Sequence, residues 1–308
     1  MSISVELGEE GEARLKQGIV RYRERGSGPV LLFVHGLWVN GDHWRKVVPL
    51  LAGRYRCVTP DLPLGAHTEP LDATATNSPS DVADLIVDFI AALDLSDVTV
   101  ISNDTGTAIA QLLAVRGSGR TGRYVMTTGD AFTNFLPYGI KPMRLAAFLP
   151  GGLKPVAAFW NTRLGRRLIF LPLARRFPGP RIAESYFAPA ARSGEIRRDL
   201  AKFLRGAGPR QTLRAARRLS EVERPVLLAW SLKGRYVFPL GHARRLAALL
   251  PDSRLELVAD SMAFIPEDQP ERLARLISDF VQPRDEALEL TPSAATARSV
   301  DARAGGPR

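Results

Sequence analysis

Six short apolar runs, alternating with stretches of helical spacing, constrain this fold more than any other feature of the 308 residues. They are PVLLFVHG (29–36), RCVTPDLP (56–63), VTVISND (98–104), RYVMTTGD (123–130), PVLLAWS (225–231) and SRLELVAD (253–260). A strand that is apolar at consecutive positions has both faces covered, which is how parallel strands are built. Between the runs lie HWRKVVPLLAGRYR (43–56), SPSDVADLIVDFIAALDL (78–95), TGTAIAQLLAVRG (105–117), HARRLAALLP (242–251) and ERLARLISDFV (271–281), each with the apolar spacing of a helix. The second opens on serine and aspartate suited to capping, and the third closes on a glycine. Residues 12–25 alternate as an opening hairpin would. Strand–helix alternation of this kind implies right-handed crossovers and a mainly parallel sheet with helices on both faces.

The alternation lapses after Asp130. Residues 131–220 are rich in proline, glycine, arginine and short helical stretches, with no convincing buried strand. The reading is one α/β domain formed by 1–130 and 221–282, a helical cap inserted at 131–220, and a disordered tail at 283–308 that lacks any core-forming pattern.

Composition narrows the class further. Apolar residues make up 45% and charged residues 24%, as in a globular enzyme and unlike a disordered chain or a coiled coil. No window approaches the roughly 18 apolar residues of a membrane span. The N-terminus has early acidic residues and no apolar h-region, so no secretory signal is expected and a cytoplasmic location is the default. The single cysteine, Cys57, can form no internal disulfide and reads as a small buried hydrophobe. No Cys/His spacing matches a zinc site, and neither metal nor cofactor is implied. The net charge of +10 comes mainly from arginines, concentrated at 163–176 and 210–218. No nucleic-acid motif accompanies them, which leaves attraction for an anionic ligand or surface.

The segment VISNDTGTAIA carries the chemistry. It places Asp104 between a strand and a helix, where a tight turn lifts one side chain above the sheet. The amide of Thr105 and the helix N-terminus would face developing negative charge there. Gly106 suits close packing, since a Cβ would crowd the neighbouring strand. An aspartate at such a junction can also serve only as an N-cap. With the order HGLWVNGDHW (35–44), PDLPLGAH (60–67), the turn at Asp104, and PEDQPERLA (266–274), the chain resembles the α/β-hydrolase superfamily over residues 15–282. The resemblance implies backbone oxyanion donors at Leu37, Trp38 and Thr105. An aspartate at the turn resembles epoxide hydrolases and haloalkane dehalogenases, in which it attacks carbon and forms an ester. A plain serine esterase is excluded.

The resemblance breaks at the nucleophile's partners. The family's histidine falls on Ala263 and its acid on Gly234. Without that histidine, an alkyl–aspartyl ester has no base to activate water. Leu37 and Thr105 replace dehalogenase halide ligands, and Trp38 replaces an epoxide hydrolase proline. Substitutes are Asp130, a second carboxyl able to share a pocket and a proton with Asp104, and His67 from its loop. Phe135, Tyr138, Trp160 and Tyr186 are candidate cap and pocket residues. The expected function is an enzyme acting on an apolar small molecule with Asp104 as acid/base or nucleophile; the alternative is a catalytically silent ligand-binding protein.

Overall fold

The computed structural model describes residues 1–137 and 140–282. The 283–308 tail and Tyr138 lie outside the described residues. Strands β1 (Glu9–Leu15) and β2 (Gly18–Arg25) form the opening hairpin, followed by β3 (Val30–Val34), β4 (Arg56–Pro60), β5 (Val98–Asp104), β6 (Thr121–Gly129), β7 (Val226–Ser231) and β8 (Ser253–Val258). They make one eight-stranded sheet in the order β1-β2-β4-β3-β5-β6-β7-β8. The β1–β2 and β2–β4 pairs are antiparallel, and the rest are parallel.

Alternation along the strands explains why their sequences read as unbroken apolar runs. Leu31 and Phe33 of β3 enter one core with Trp44, Val48 and Ile277, while Leu32 and Val34 enter the other with Phe89, Ile109 and Trp230. Each face needs its own cover. One cover includes α1 (Val48–Leu51) and a C-terminal helix; the other includes α2 (Pro79–Ala92) and α3 (Thr105–Arg116). Ser78 caps α2 in a reciprocal box with Asp81, whose carboxylate accepts from the Ser78 amide at 2.6 Å, a motif worth about 1 kcal/mol. The helix expected over 43–56 is reduced to a 3-10 turn at Gly41–Trp44 and the single turn α1. Pro49 explains the break, because it has no amide proton to continue a preceding helix and suits a helix start.

Between β6 and β7 run α4 (Lys141–Ala146), α5 (Leu153–Trp160), α6 (Arg163–Phe170), α7 (Pro180–Arg192), α8 (Gly194–Gly206) and α9 (Pro209–Ala216). The remaining helices are α10 (Leu240–Leu249), α11 (Ile265–Asp268) and α12 (Pro270–Val281). Strand order reverses between β3 and β5, so their carboxyl-end loops diverge and leave a crevice, the usual ligand position in an open α/β sheet. Among the described residues, no helix is long and apolar enough to cross a membrane.

Candidate active site

Asp104 ends β5 with φ 58° and ψ −130°, and Thr105 begins α3. A non-glycine residue in that region costs about 1–3 kcal/mol and persists only where its surroundings impose it. The surroundings here are close. A Cβ on Gly106 would lie 2.5 Å from the Val34 carbonyl oxygen, and one on Gly36 would collide with the Asp104 carboxylate. The Asp130 amide donates to the Asp104 carbonyl at 3.2 Å. Small residues at 36 and 106 therefore let the turn press against β3.

The same turn supplies donors to the carboxyl group. Asp104 Oδ2 accepts from the Leu37 amide at 3.2 Å, and the amide and hydroxyl of Thr105 also donate to this carboxylate. These bonds favour the ionised form, but burial outweighs them and raises the Asp104 pKa to about 6. Thr105 Oγ1 also lies 3.0 Å from Asp130 Oδ2, and Asp130 Oδ1 accepts from the Leu136 amide at 3.2 Å. Asp130 is fully buried. Burial first, then the nearby Asp104 charge, hold it protonated well above the ordinary carboxylate range. One hydroxyl thus joins two carboxyl groups, of which the deeper retains its proton.

Beneath the turn, Asn103 Nδ2 reaches Thr127 Oγ1 at 2.7 Å, the Thr128 carbonyl at 2.8 Å and the Ala263 carbonyl at 3.1 Å. Its Oδ1 lies 2.8 Å from His43 Nε2, and the His43 ring packs edge-on to Phe264. Burial lowers the His43 pKa to about 3, so Nε2–H is the donor to Asn103. Asn103 and His43 were not singled out as site residues from sequence; their polarity is visible there, but their partners are not. Asn103 also ties the β5 turn to the β8 loop. There Ala263 and Gly234 face each other: a Cβ on Gly234 would lie 2.9 Å from the Ala263 amide nitrogen and closer still to Ser231 Oγ.

Above Asp104 opens a cavity of about 350 Å³. Its polar members include Asp104, Thr105 and Asn134; apolar walls come from Leu37, Trp38, Met143, Trp160, Leu168 and Val237, among others. Several of these belong to α4–α6 or the segment before it, where apolar residues carry no separate sequence signal for cavity or core. Of the sequence-derived candidates, Asp104, Thr105, Leu37, Trp38 and Trp160 therefore meet at one cavity, and Asp130 joins them from beneath through Thr105.

Four expectations need correction. The Trp38 amide donates to the Leu64 carbonyl at 2.9 Å and is occupied as a loop bond, not free as an oxyanion donor. His67 is buried, turned from the cavity toward Asp199 at 3.4 Å, where Asp199 also accepts from the Leu71 amide and Arg198; it ties the β4 loop to α8. Phe135 packs into the core, while the next residue, Leu136, takes the cavity wall. Tyr186 is buried beside Phe170, near Arg45, Asp42 and Glu267, instead of lining the cavity. Burial pushes its phenol well above the usual range.

A profile of the alpha/beta hydrolase family matches residues 31–276. The chain belongs to that family. Haloalkane dehalogenase 2 of Mycobacterium tuberculosis is 26% identical over 273 residues, covering 85% of this chain and 91% of the dehalogenase. The 2-hydroxy-6-oxononadienedioate/2-hydroxy-6-oxononatrienedioate hydrolase 2 of Pseudomonas putida is 25% identical over 284 residues, 89% of this chain and 94% of that hydrolase. Among solved structures, the unliganded epoxide hydrolase CorEH superposes with a TM-score of 0.71 at 19% identity, over 88% of this chain and 98% of its own. A structure assigned to an ancestral haloalkane dehalogenase gives 0.71 at 24% identity, over 88% and 97%. These structural likenesses establish the α/β-hydrolase fold, an eight-stranded and mostly parallel sheet with flanking helices.

Proposed function

We propose that this family member is an enzyme that opens an apolar epoxide or a similarly acid-labile small molecule, with Asp104 as the proton donor and residues 131–220 acting as a cap over the substrate. The observation that carries this reading is the pair of carboxyl groups joined by the Thr105 hydroxyl under an apolar cavity. Such a pair holds a proton into a pH range where an exposed carboxyl has lost it. Asp104 hands its proton to the epoxide oxygen as the carbon–oxygen bond breaks. Water adds to the opened carbon, and the proton it releases restores the carboxyl group. Asp130, buried and protonated, keeps its own proton and holds Thr105 Oγ1 in place between the two carboxyl groups. The epoxide hydrolase and dehalogenase likenesses favour the substrate class. Alanine and glycine at 263 and 234 favour acid chemistry over an ester intermediate, which those positions give no histidine to hydrolyse.

The experiment is turnover of a panel of apolar epoxides by the wild-type chain and Asp104→Asn, with diol read by chromatography. Activity should fall as pH rises through about 6, where Asp104 ionises, and should drop by about 10²–10⁴-fold in Asp104→Asn. Saturable binding with no turnover of any substrate, altered only modestly by Asp104→Asn, would instead establish a ligand-binding protein.

A further inference from the structure

The chain's positive charge is concentrated in one segment. Residues 131–183 hold nine lysines and arginines and no aspartate or glutamate, nearly the whole excess of +10. The same segment carries Leu145, Phe148, Leu149, Leu164, Leu168 and Leu171, each between 42% and 69% exposed. Large apolar side chains gathered in this way are unusual on a surface that meets only water. Leu164, Leu168 and Leu171 stand at i, i+4 and i+7, so they share a face of α6 and the residue that follows it. Leu145 stands in the last turn of α4, and Phe148 and Leu149 in the turn that follows it. α4 packs on α5, and α5 on α6. Arg163 and Arg167 flank the α6 stripe, exposed and without an ion pair among the described residues.

A second feature adjoins the apolar one. A groove of about 370 Å³ between the start of α5 and α8 is lined by Lys154, Arg197, Arg198, Lys202 and Arg205, with Leu149 also in its wall. Of these five cations, only Arg198 meets a carboxylate among the described residues, that of Asp199. Arg197, Lys202 and Arg205 donate to backbone carbonyls, which leave their charge uncompensated.

We propose that the α4–α6 face docks on an anionic lipid bilayer. The exposed leucines and Phe148 enter the boundary between headgroups and acyl chains, Arg163 and Arg167 reach the phosphates, and the groove takes up headgroups at the edge. Arginine stems bury along an apolar surface while their guanidinium groups stay in the wet layer, the arrangement of interfacial helices. A second copy of this chain is a poor occupant, because it would set two strongly positive faces against each other. Leu168 belongs both to the exposed stripe and to the cavity wall, so docking brings the cavity toward the bilayer, where apolar molecules concentrate. The proposal does not depend on what Asp104 does.

Vesicle co-sedimentation of the full chain tests it, using phosphatidylcholine alone and phosphatidylcholine with a quarter phosphatidylglycerol. The wild type should bind the anionic vesicles and bind neutral ones at least about tenfold more weakly. Arg163→Glu with Arg167→Glu, and separately Leu164→Ser with Leu171→Ser, should each weaken anionic binding by at least about tenfold, the order carried by two basic contacts to an anionic leaflet. All four residues are exposed or nearly so, and unchanged circular dichroism checks the fold. Arg244→Glu with Arg275→Glu makes the same charge change on exposed positions of α10 and α12 and should bind as wild type does. Equal loss in that control, equal binding to neutral vesicles, or no co-sedimentation would overturn the proposal. So would a dimer, seen by sedimentation velocity, that the α6 substitutions dissociate.

Discussion

At the carboxyl end of β5, the Asp104 carboxyl reaches a cavity and holds hydrogen bonds from Leu37 and Thr105. At the ends of β7 and β8, the same sheet presents Gly234 and Ala263 packed against each other, two positions with no side chain able to move a proton. Asn103 spans both regions, donating to the end of β6 at the Thr128 carbonyl and to the Ala263 carbonyl from the base of the turn. The difference teaches that the backbone frame of the site does not depend on its catalytic groups. It also shows that the second region has filled the space where a side chain would stand.

The comparison breaks most visibly at Asp104. Asp104→Asn should reduce epoxide turnover by about 10²–10⁴-fold, the range of a lost general acid, whereas Ala263→Gly should leave it within a few-fold. Steady-state kinetics on both variants would decide; an Ala263 effect as large as the Asp104 effect would dissolve the distinction between the two regions.

The strands, the turn at Asp104 and the packing demand on Gly106 were legible in the sequence because each is written in local pattern: apolar runs and a small residue beside a turn. The occupation of the Trp38 amide by Leu64 was not, since the partner lies in another loop. Nor was the fate of His67, whose hydrogen-bond partner Asp199 is 132 residues away. Phe135 and Leu136 are adjacent and both apolar, and only the turn of the backbone chooses which lines the cavity. The break at Pro49 was readable from its missing amide proton but was overridden by the surrounding apolar spacing.

A smaller effect concerns the filled region. Gly234→Asp has no room beside Ser231 and the Ala263 amide, so it should destabilise the fold by roughly 1–3 kcal/mol, as overpacking does. Thermal denaturation should show a melting point lower by several degrees, and adding Ala263→His should not restore it. Unchanged stability would mean that the loop opens readily and that the second region is only lacking its side chains.

Asp104 itself should cost stability when charged. Its folded pKa, about 6, lies above the unfolded value near 3.8, so its contribution is fully present below about pH 4 and is lost as pH rises through about 6. Asp104→Asn should therefore be more stable than wild type at pH 7, by on the order of 3 kcal/mol at most. The gain should shrink to nothing near pH 4. Denaturant unfolding across that range checks the sign.

The smallest expected effect is at Thr105. Its hydroxyl hydrogen bond favours the ionised form of Asp104, so Thr105→Val, which keeps the amide, should move the alkaline limb of activity upward from about pH 6. A limb that does not move would remove the hydroxyl from the account.

The central claim is that Asp104 transfers a proton and forms no ester. Intact-protein mass spectrometry during incubation with an apolar epoxide tests it most directly, read alongside diol formation in the same sample. Diol accumulating over many turnovers while the protein mass stays unchanged is the predicted result. A stoichiometric adduct that maps to Asp104 and persists would contradict it, showing a nucleophile trapped after one event.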